Sequence, residues 1–227
     1  MKLDGTEQLQ LTFPPMKVLL PRWSPDGKRL AFCDVPANGH MRIYTILREG
    51  GTPEALTSGE PDAHDPTWSP DGNALMFGYG ANLPDSSIHV LNLNTHRVTV
   101  LPGSKGIYSP RWSPDGRYAV ALTSGDWKLM LFDFSTQKWE ELGGSGAAFP
   151  NWSEDGRYVL FQAGAASAFY RVEISTHKTE EVAAIGNTQA QEGIPGFPWC
   201  GVTPDGAPLI ARRAGTQEIY ALDVDFP

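Results

Sequence analysis

Trp23-Ser24-Pro25-Asp26-Gly27 is the stretch on which the reading of this chain turns. It recurs as Trp68 to Gly72 and as Trp112 to Gly116, and once more, with glutamate for proline, as Trp152-Ser153-Glu154-Asp155-Gly156. A fifth copy, Val202-Thr203-Pro204-Asp205-Gly206, lacks the tryptophan. The closing glycines fall at 27, 72, 116, 156 and 206, with spacings of 45, 44, 40 and 50 residues. A turn signature at that period marks the blades of a propeller. The chemistry of the motif is turn chemistry: proline presets φ, aspartate bonds nearby backbone, and glycine accepts a positive φ.

Working outward, each copy reads as four strands. A short first strand ends in the tryptophan, as in Leu19 to Trp23 and Tyr108 to Trp112. An apolar second strand follows the turn: Arg29 to Phe32, Ala74 to Phe77, Tyr118 to Leu122, Tyr158 to Phe161 and Pro208 to Ala211. Third strands are Ile43 to Ile46, Ile88 to Leu91, Leu129 to Phe132, Phe169 to Val172 and Ile219 to Leu222. No segment carries the 3.6-residue period of a helix.

The expectation is an all-β chain: one β-propeller domain of five four-stranded blades. The blades span about 18–57, 63–102, 107–143, 147–184, and 196–225 with 3–12. The last copy stops after its third strand. The N-terminal run Leu3 to Thr12 resembles the turn and fourth strand of copy one, Glu49 to Thr57. Residues 7–12 are therefore expected to pair beside 218–223 and close the ring, because closure covers apolar blade faces left bare at the ends of an arc. Two rivals share these features: a piece of a longer propeller, and several chains completing one ring.

On these motifs the chain resembles the TolB-like propeller family, whose signature is Trp-Ser-Pro-Asp-Gly followed by an apolar strand and an Ile-Tyr-type strand. The resemblance runs from Leu3 to Asp225. More narrowly, it is similar to the C-terminal propellers of bacterial winged-helix regulators and protein kinases. The resemblance implies a protein- or small-ligand-binding propeller, and an extracytoplasmic location if it holds for a full-length protein. Related repeats also form the gating propeller of prolyl-oligopeptidase-like enzymes.

Composition narrows the partners. Lys and Arg number 18 against 26 Asp and Glu, a net charge of −8. No basic stripe offsets this, so nucleic acid and anionic lipid are disfavoured as partners. No apolar run approaches the roughly 20 residues of a membrane span, and the first residues carry no apolar signal-peptide core. Two cysteines, Cys33 and Cys200, make no disulfide framework. A monomer is favoured, with an oligomer expected only if the chain is a fragment.

No catalytic motif is found. Gly143-Gly144-Ser145-Gly146-Ala147 ends in alanine and lies between strands, unlike a nucleophile elbow. His96 and His177 occupy equivalent turn positions, with Gln137 in a third copy. The repeated acids Asp26, Asp71, Asp115, Asp155 and Asp205 read as turn residues bonding locally rather than as a calcium ring. Trp23, Trp68, Trp112 and Trp152 read as packing between blades, and Gly27, Gly72, Gly116, Gly156 and Gly206 as turn glycines.

Loops before first strands and between second and third strands open on one face of a propeller. That mouth collects His64, Asp65, Tyr108, Asp126, Trp127 and Phe149, aromatics beside acids suited to a protein or small ligand. The reading is a non-enzymatic binding module without cofactor or metal. The alternative is a hydrolase or lyase, or the gating domain of one, using His64 and channel carboxylates.

Overall fold

The computed structural model describes residues 9–37, 39–58, 60–80, 83–163, 168–184, 193–194, 197–198, 200–203 and 207–210. The first sheet holds β1 (Val18–Trp23), β2 (Arg29–Asp34), β3 (Arg42–Leu47) and the short β4 (Glu54–Ala55). The second holds β5 (Ala63–Trp68), β6 (Ala74–Tyr79), β7 (Ser87–Asn92) and β8 (Val98–Val100), with a 3-10 turn at Leu83–Asp85. The third holds β9 (Ile107–Trp112), β10 (Tyr118–Thr123), β11 (Leu129–Asp133) and β12 (Lys138–Gly143). The fourth holds β13 (Ala147–Trp152), β14 (Tyr158–Ala163), β15 (Ala168–Glu173) and β16 (Thr179–Ala184). In each sheet the strands lie in chain order, every pair antiparallel.

The sheets stack as blades. β5 packs on β1 and β2, β9 on β5 and β6, and β13 on β9 and β10. A blade buried between two neighbours needs apolar side chains on both faces, which accounts for the nearly continuous apolar runs of the second strands. One core fills each seam. Ala31, Ile43, Leu75 and Phe77 lie in the first seam, Met76, Ile88, Ala119 and Phe132 in the second, and Val120, Leu131, Val159 and Phe161 in the third.

Among the described residues the propeller has four complete blades, not the expected five. The fifth copy contributes only two-stranded ladders among the described residues: β17 (Gly193–Ile194) with β18 (Phe197–Pro198), and β19 (Cys200–Val202) with β20 (Pro208–Ile210). Closure by the N-terminal strand is not found either. Residues 9–12, the described part of the segment expected to pair, carry no strand, and Leu9 is 56% exposed. Leu11 instead lies against Gly50 of blade one, about 4.0 Å from where a Cβ on that glycine would stand. Residues 3–8, Trp199, Asp205, Gly206 and the third strand expected at 219–222 lie outside the described residues.

Two kinds of contact tie neighbouring blades at their seams. Trp68 Nε1 donates to the carbonyl of Arg22 in the preceding blade at 3.0 Å, and Trp152 Nε1 donates to Arg111 O at 3.0 Å. Trp112 Nε1 instead donates to Gly116 O within its own turn at 3.3 Å, and at all three seams the turn proline packs over the next turn's glycine. A Cβ on Gly72 would meet Pro25 at 3.9 Å, one on Gly116 would meet Pro70 at 3.6 Å, and one on Gly156 would meet Pro114 at 3.8 Å. Between copies four and five both parts are absent from the sequence, with Glu154 for the proline and Val202 for the tryptophan.

The motif turns are closed on themselves. The hydroxyls of Ser24, Ser69, Ser113 and Ser153 donate to the carboxylates of Asp26, Asp71, Asp115 and Asp155 at 2.7, 2.5, 2.6 and 2.6 Å. Each carboxylate also accepts the backbone N–H two residues on, from Lys28, Asn73, Arg117 and Arg157. These bonds, the serine hydroxyl first, hold the four acids below the usual carboxylate range. Gly27, Gly72, Gly116 and Gly156 take φ of 66–75°, the left-handed conformation the turn requires.

Candidate functional site at the axial strands

Each inner strand is broken by a bulge three residues before its tryptophan. Leu20, Asp65, Ser109 and Phe149 take φ of 53, 52, 55 and 51°, and the register with the second strand shifts at each. Left-handed backbone costs a non-glycine residue roughly 1–2 kcal/mol. Bulges of this kind re-aim a side chain. In blade two the side chain so aimed is a carboxylate.

Asp65 is buried and reaches blades on both sides. Its Oδ2 accepts the Ser109 hydroxyl at 2.5 Å and Arg111 Nη2 at 3.1 Å. Arg111 Nη1 lies 3.0 Å from Oδ1 as an ion pair, but aligns its N–H with Pro110 O at 2.7 Å, leaving Oδ1 a charge contact rather than a hydrogen bond. Arg22 Nη2 approaches the same Oδ1 at 3.5 Å from blade one. Asp65 N–H donates to Cys33 Sγ at 3.1 Å.

Electrostatics follow from this crowding. Burial alone would raise the Asp65 carboxyl; Arg111, Arg22 and the Ser109 hydroxyl outweigh it and hold the group below its ordinary value. Burial and repulsion from Arg111 bring Arg22 down to about 10. Burial pushes the Cys33 thiol up to about 12, and burial with the Asp65 charge pushes Tyr108 up to about 12, so both stay neutral. Burial lowers His64, which is therefore a neutral imidazole at pH 7. The cluster carries two guanidinium charges against one carboxylate.

The six residues singled out in the sequence fall into separate groups. His64, Asp65 and Tyr108 come together on β5 and β9. Phe149 takes the bulge position of β13 but is nearly buried. Asp126 and Trp127 sit in the turn between β10 and β11. There the exposed Asp126 accepts the Thr123 hydroxyl at 2.8 Å, and the carbonyls of Asp126 and Trp127 accept N–H groups of Gly146 and Ala147 at the start of β13. The residues that hold Asp65, namely Arg22, Ser109 and Arg111, were not singled out. Their signal was columnar: with copies aligned on the tryptophan, arginine stands before it in copies one and three. Gly78 was missed too. The His64 ring lies over it, and a Cβ there would meet His64 Cε1 at 2.3 Å.

Other histidines have local roles. His96 and His177 take φ of 54 and 56° in their turns, as does Gln137 at 57°. His89 lies tilted against Tyr79, with ring centroids 4.3 Å apart, and bonds Ser87 at 3.0 Å. Among the described residues no group of three or more His, Cys, Asp and Glu is arranged to hold a metal ion, and no helix is long and apolar enough to cross a membrane.

Comparison with known proteins places the fold. No protein-family model matches the chain. Over 93 residues, 40% of the chain, it is 36% identical to the Tol-Pal system protein TolB of Alcanivorax borkumensis, covering 18% of that protein. Over 114 residues, 46% of the chain, it is 29% identical to the uncharacterized peptidase YuxL of Bacillus subtilis, covering 17% of it. Among solved structures, TolB from Acinetobacter baumannii superposes with a TM-score of 0.68 at 23% identity, covering 84% of this chain and 47% of that one. The matched stretch thus spans about a fifth of the length of those two curated relatives. The architecture is a TolB-like β-propeller. A Tol-Pal system protein and a protein named as a peptidase share the likeness, so it assigns the fold and not the chemistry.

Proposed function

We propose that this chain is a non-enzymatic binding propeller that takes a protein or small ligand at the mouth marked by His64, Asp65 and Tyr108. The carrying observation is the state of Asp65: the acid next to His64 is spoken for by Arg111, Ser109 and Arg22. A carboxylate so engaged is a poor general base, and a neutral imidazole beside it lacks an acid partner. The hydrolase or lyase alternative, which the likeness to a protein named as a peptidase keeps in view, needs such a pair. The finer part of the reading, a sensor or docking part of a larger bacterial regulator, extends this proposal on the resemblance of the repeats alone.

The test is a peptide-array and small-metabolite binding screen with the purified chain. Hits are remeasured on Tyr108→Ala and Trp127→Ala. A ligand losing at least ten-fold in affinity on either variant supports the reading. Turnover of a peptide, ester or polyuronate substrate that disappears in His64→Ala would overturn it.

A further inference from the structure

We infer that Arg22 and Arg111, set on either side of Asp65, form a receptor for a single carboxylate group on the ligand. The inference rests on the mouth being the binding face and names the chemistry bound there.

The first support is incomplete satisfaction. A guanidinium offers five N–H donors. Arg111, only 7% exposed, has its Nε buried without a hydrogen-bond partner, and so has Arg22. Such orphaned donors are rare inside proteins and point to a missing partner. The second support is geometry. Arg22 makes only long contacts, 3.4 Å to Pro21 O and 3.5 Å to Asp65 Oδ1, and its side chain remains 20% exposed. Arg22 is thus loosely held and reachable, while Arg111 is locked.

The third support is charge. Asp65 cancels one of two guanidiniums, and Cys33, Tyr108 and His64 add no charge at neutral pH, so the cluster keeps one net positive charge. One carboxylate balances this; a phosphate dianion overshoots it. The planar fork of arginine suits a carboxylate in bidentate fashion. A purely structural tie between blades would be served by one arginine per aspartate, and Arg111 alone already lies against both carboxylate oxygens of Asp65.

The experiment uses the whole chain with sodium acetate, triglycine and triglycine amide at constant ionic strength, chloride making up the balance. Dissociation constants come from calorimetry. Amide chemical shifts at Arg22, Asp65 and Arg111 report the location. Acetate or triglycine is expected to bind and shift all three amides, and triglycine amide to bind at least ten-fold more weakly. Arg22→Gln is expected to lose at least ten-fold in affinity, with Arg22→Lys intermediate. Binding of triglycine without acetate assigns the carboxylate to a peptide terminus, and binding of acetate alone assigns it to a free acid. If chloride produces the same shifts, or the amide binds as well as the acid, the inference falls. Should Arg22→Gln fail to fold, the wild-type shifts decide alone: unchanged amides at Arg22 and Arg111 overturn it. A ligand found in the screen above that depends on Tyr108 or Trp127 yet leaves these amides untouched would sink the carboxylate receptor and leave the binding propeller standing.

Discussion

Trp68 donates its indole N–H to the backbone carbonyl of Arg22, the residue whose side chain approaches Asp65. Trp152 and Arg111 repeat the relationship two blades on. In copies one and three the residue before the motif tryptophan therefore holds the seam through its backbone and reaches Asp65 through its side chain.

This separates two tryptophans that look identical in sequence. Trp68 is 7% exposed and Trp23 is 57% exposed. Trp68→Ala is expected to cost about 3–5 kcal/mol, and Trp68→Phe, which keeps the ring and loses the bond, less. Trp23→Ala is expected to stay within about 0.5 kcal/mol of the parent. Urea denaturation of the three variants measures this; equal losses at both sites would refute the seam assignment.

Asp65→Asn leaves the buried Arg111 guanidinium, and the partly exposed Arg22 beside it, without their counter-charge. Breaking a buried pair this way costs about 3–5 kcal/mol. The carboxyl is held below its ordinary value of 3.8, so its contribution is full above that value and is lost as the pH falls towards the folded one. Wild-type stability is expected to fall on acidification below about pH 4, with a flatter acid limb in the Asn variant. Parallel limbs from pH 7 to pH 2 would contradict this.

Gly78→Ala puts a methyl where the His64 ring lies. The backbone at Gly78 is ordinary strand, so the effect is steric. Overpacking of this kind costs about 1–3 kcal/mol. The displaced imidazole is expected to lose its burial and titrate closer to its ordinary value of 6.5. An NMR titration of the His64 ring that does not move upward would exclude the displacement.

Glu154→Pro supplies the fourth turn with the residue found in the first three. Proline at a compatible position stabilises by about 0.4–1 kcal/mol through the unfolded chain. A higher thermal midpoint is the expected result, and a lower one would mean that the fourth turn differs in backbone from the others.

The blades were legible because the turn motif states its own local structure: serine, aspartate and glycine bond within it. Blade number was less so. Pro204-Asp205-Gly206 reads as another turn, yet among the described residues the fifth copy shows only two-stranded ladders, with Glu154 and Val202 standing where the earlier copies have proline and tryptophan. His64 and Asp65 stood out as neighbours in the chain. Arg111 and Ser109 did not, since each meets Asp65 across more than 40 residues, and only the blade repeat brings them close. The bulges were invisible because Leu20, Ser109 and Phe149 carry no preference for left-handed backbone.

Leucine, aspartate, serine and phenylalanine occupy that one bent position in successive blades. The backbone there tolerates four unlike chemistries without altering the strands on either side. Exchanging one residue per blade at this position is therefore a change the framework can absorb, a socket whose fitting changes while the wall stays in place.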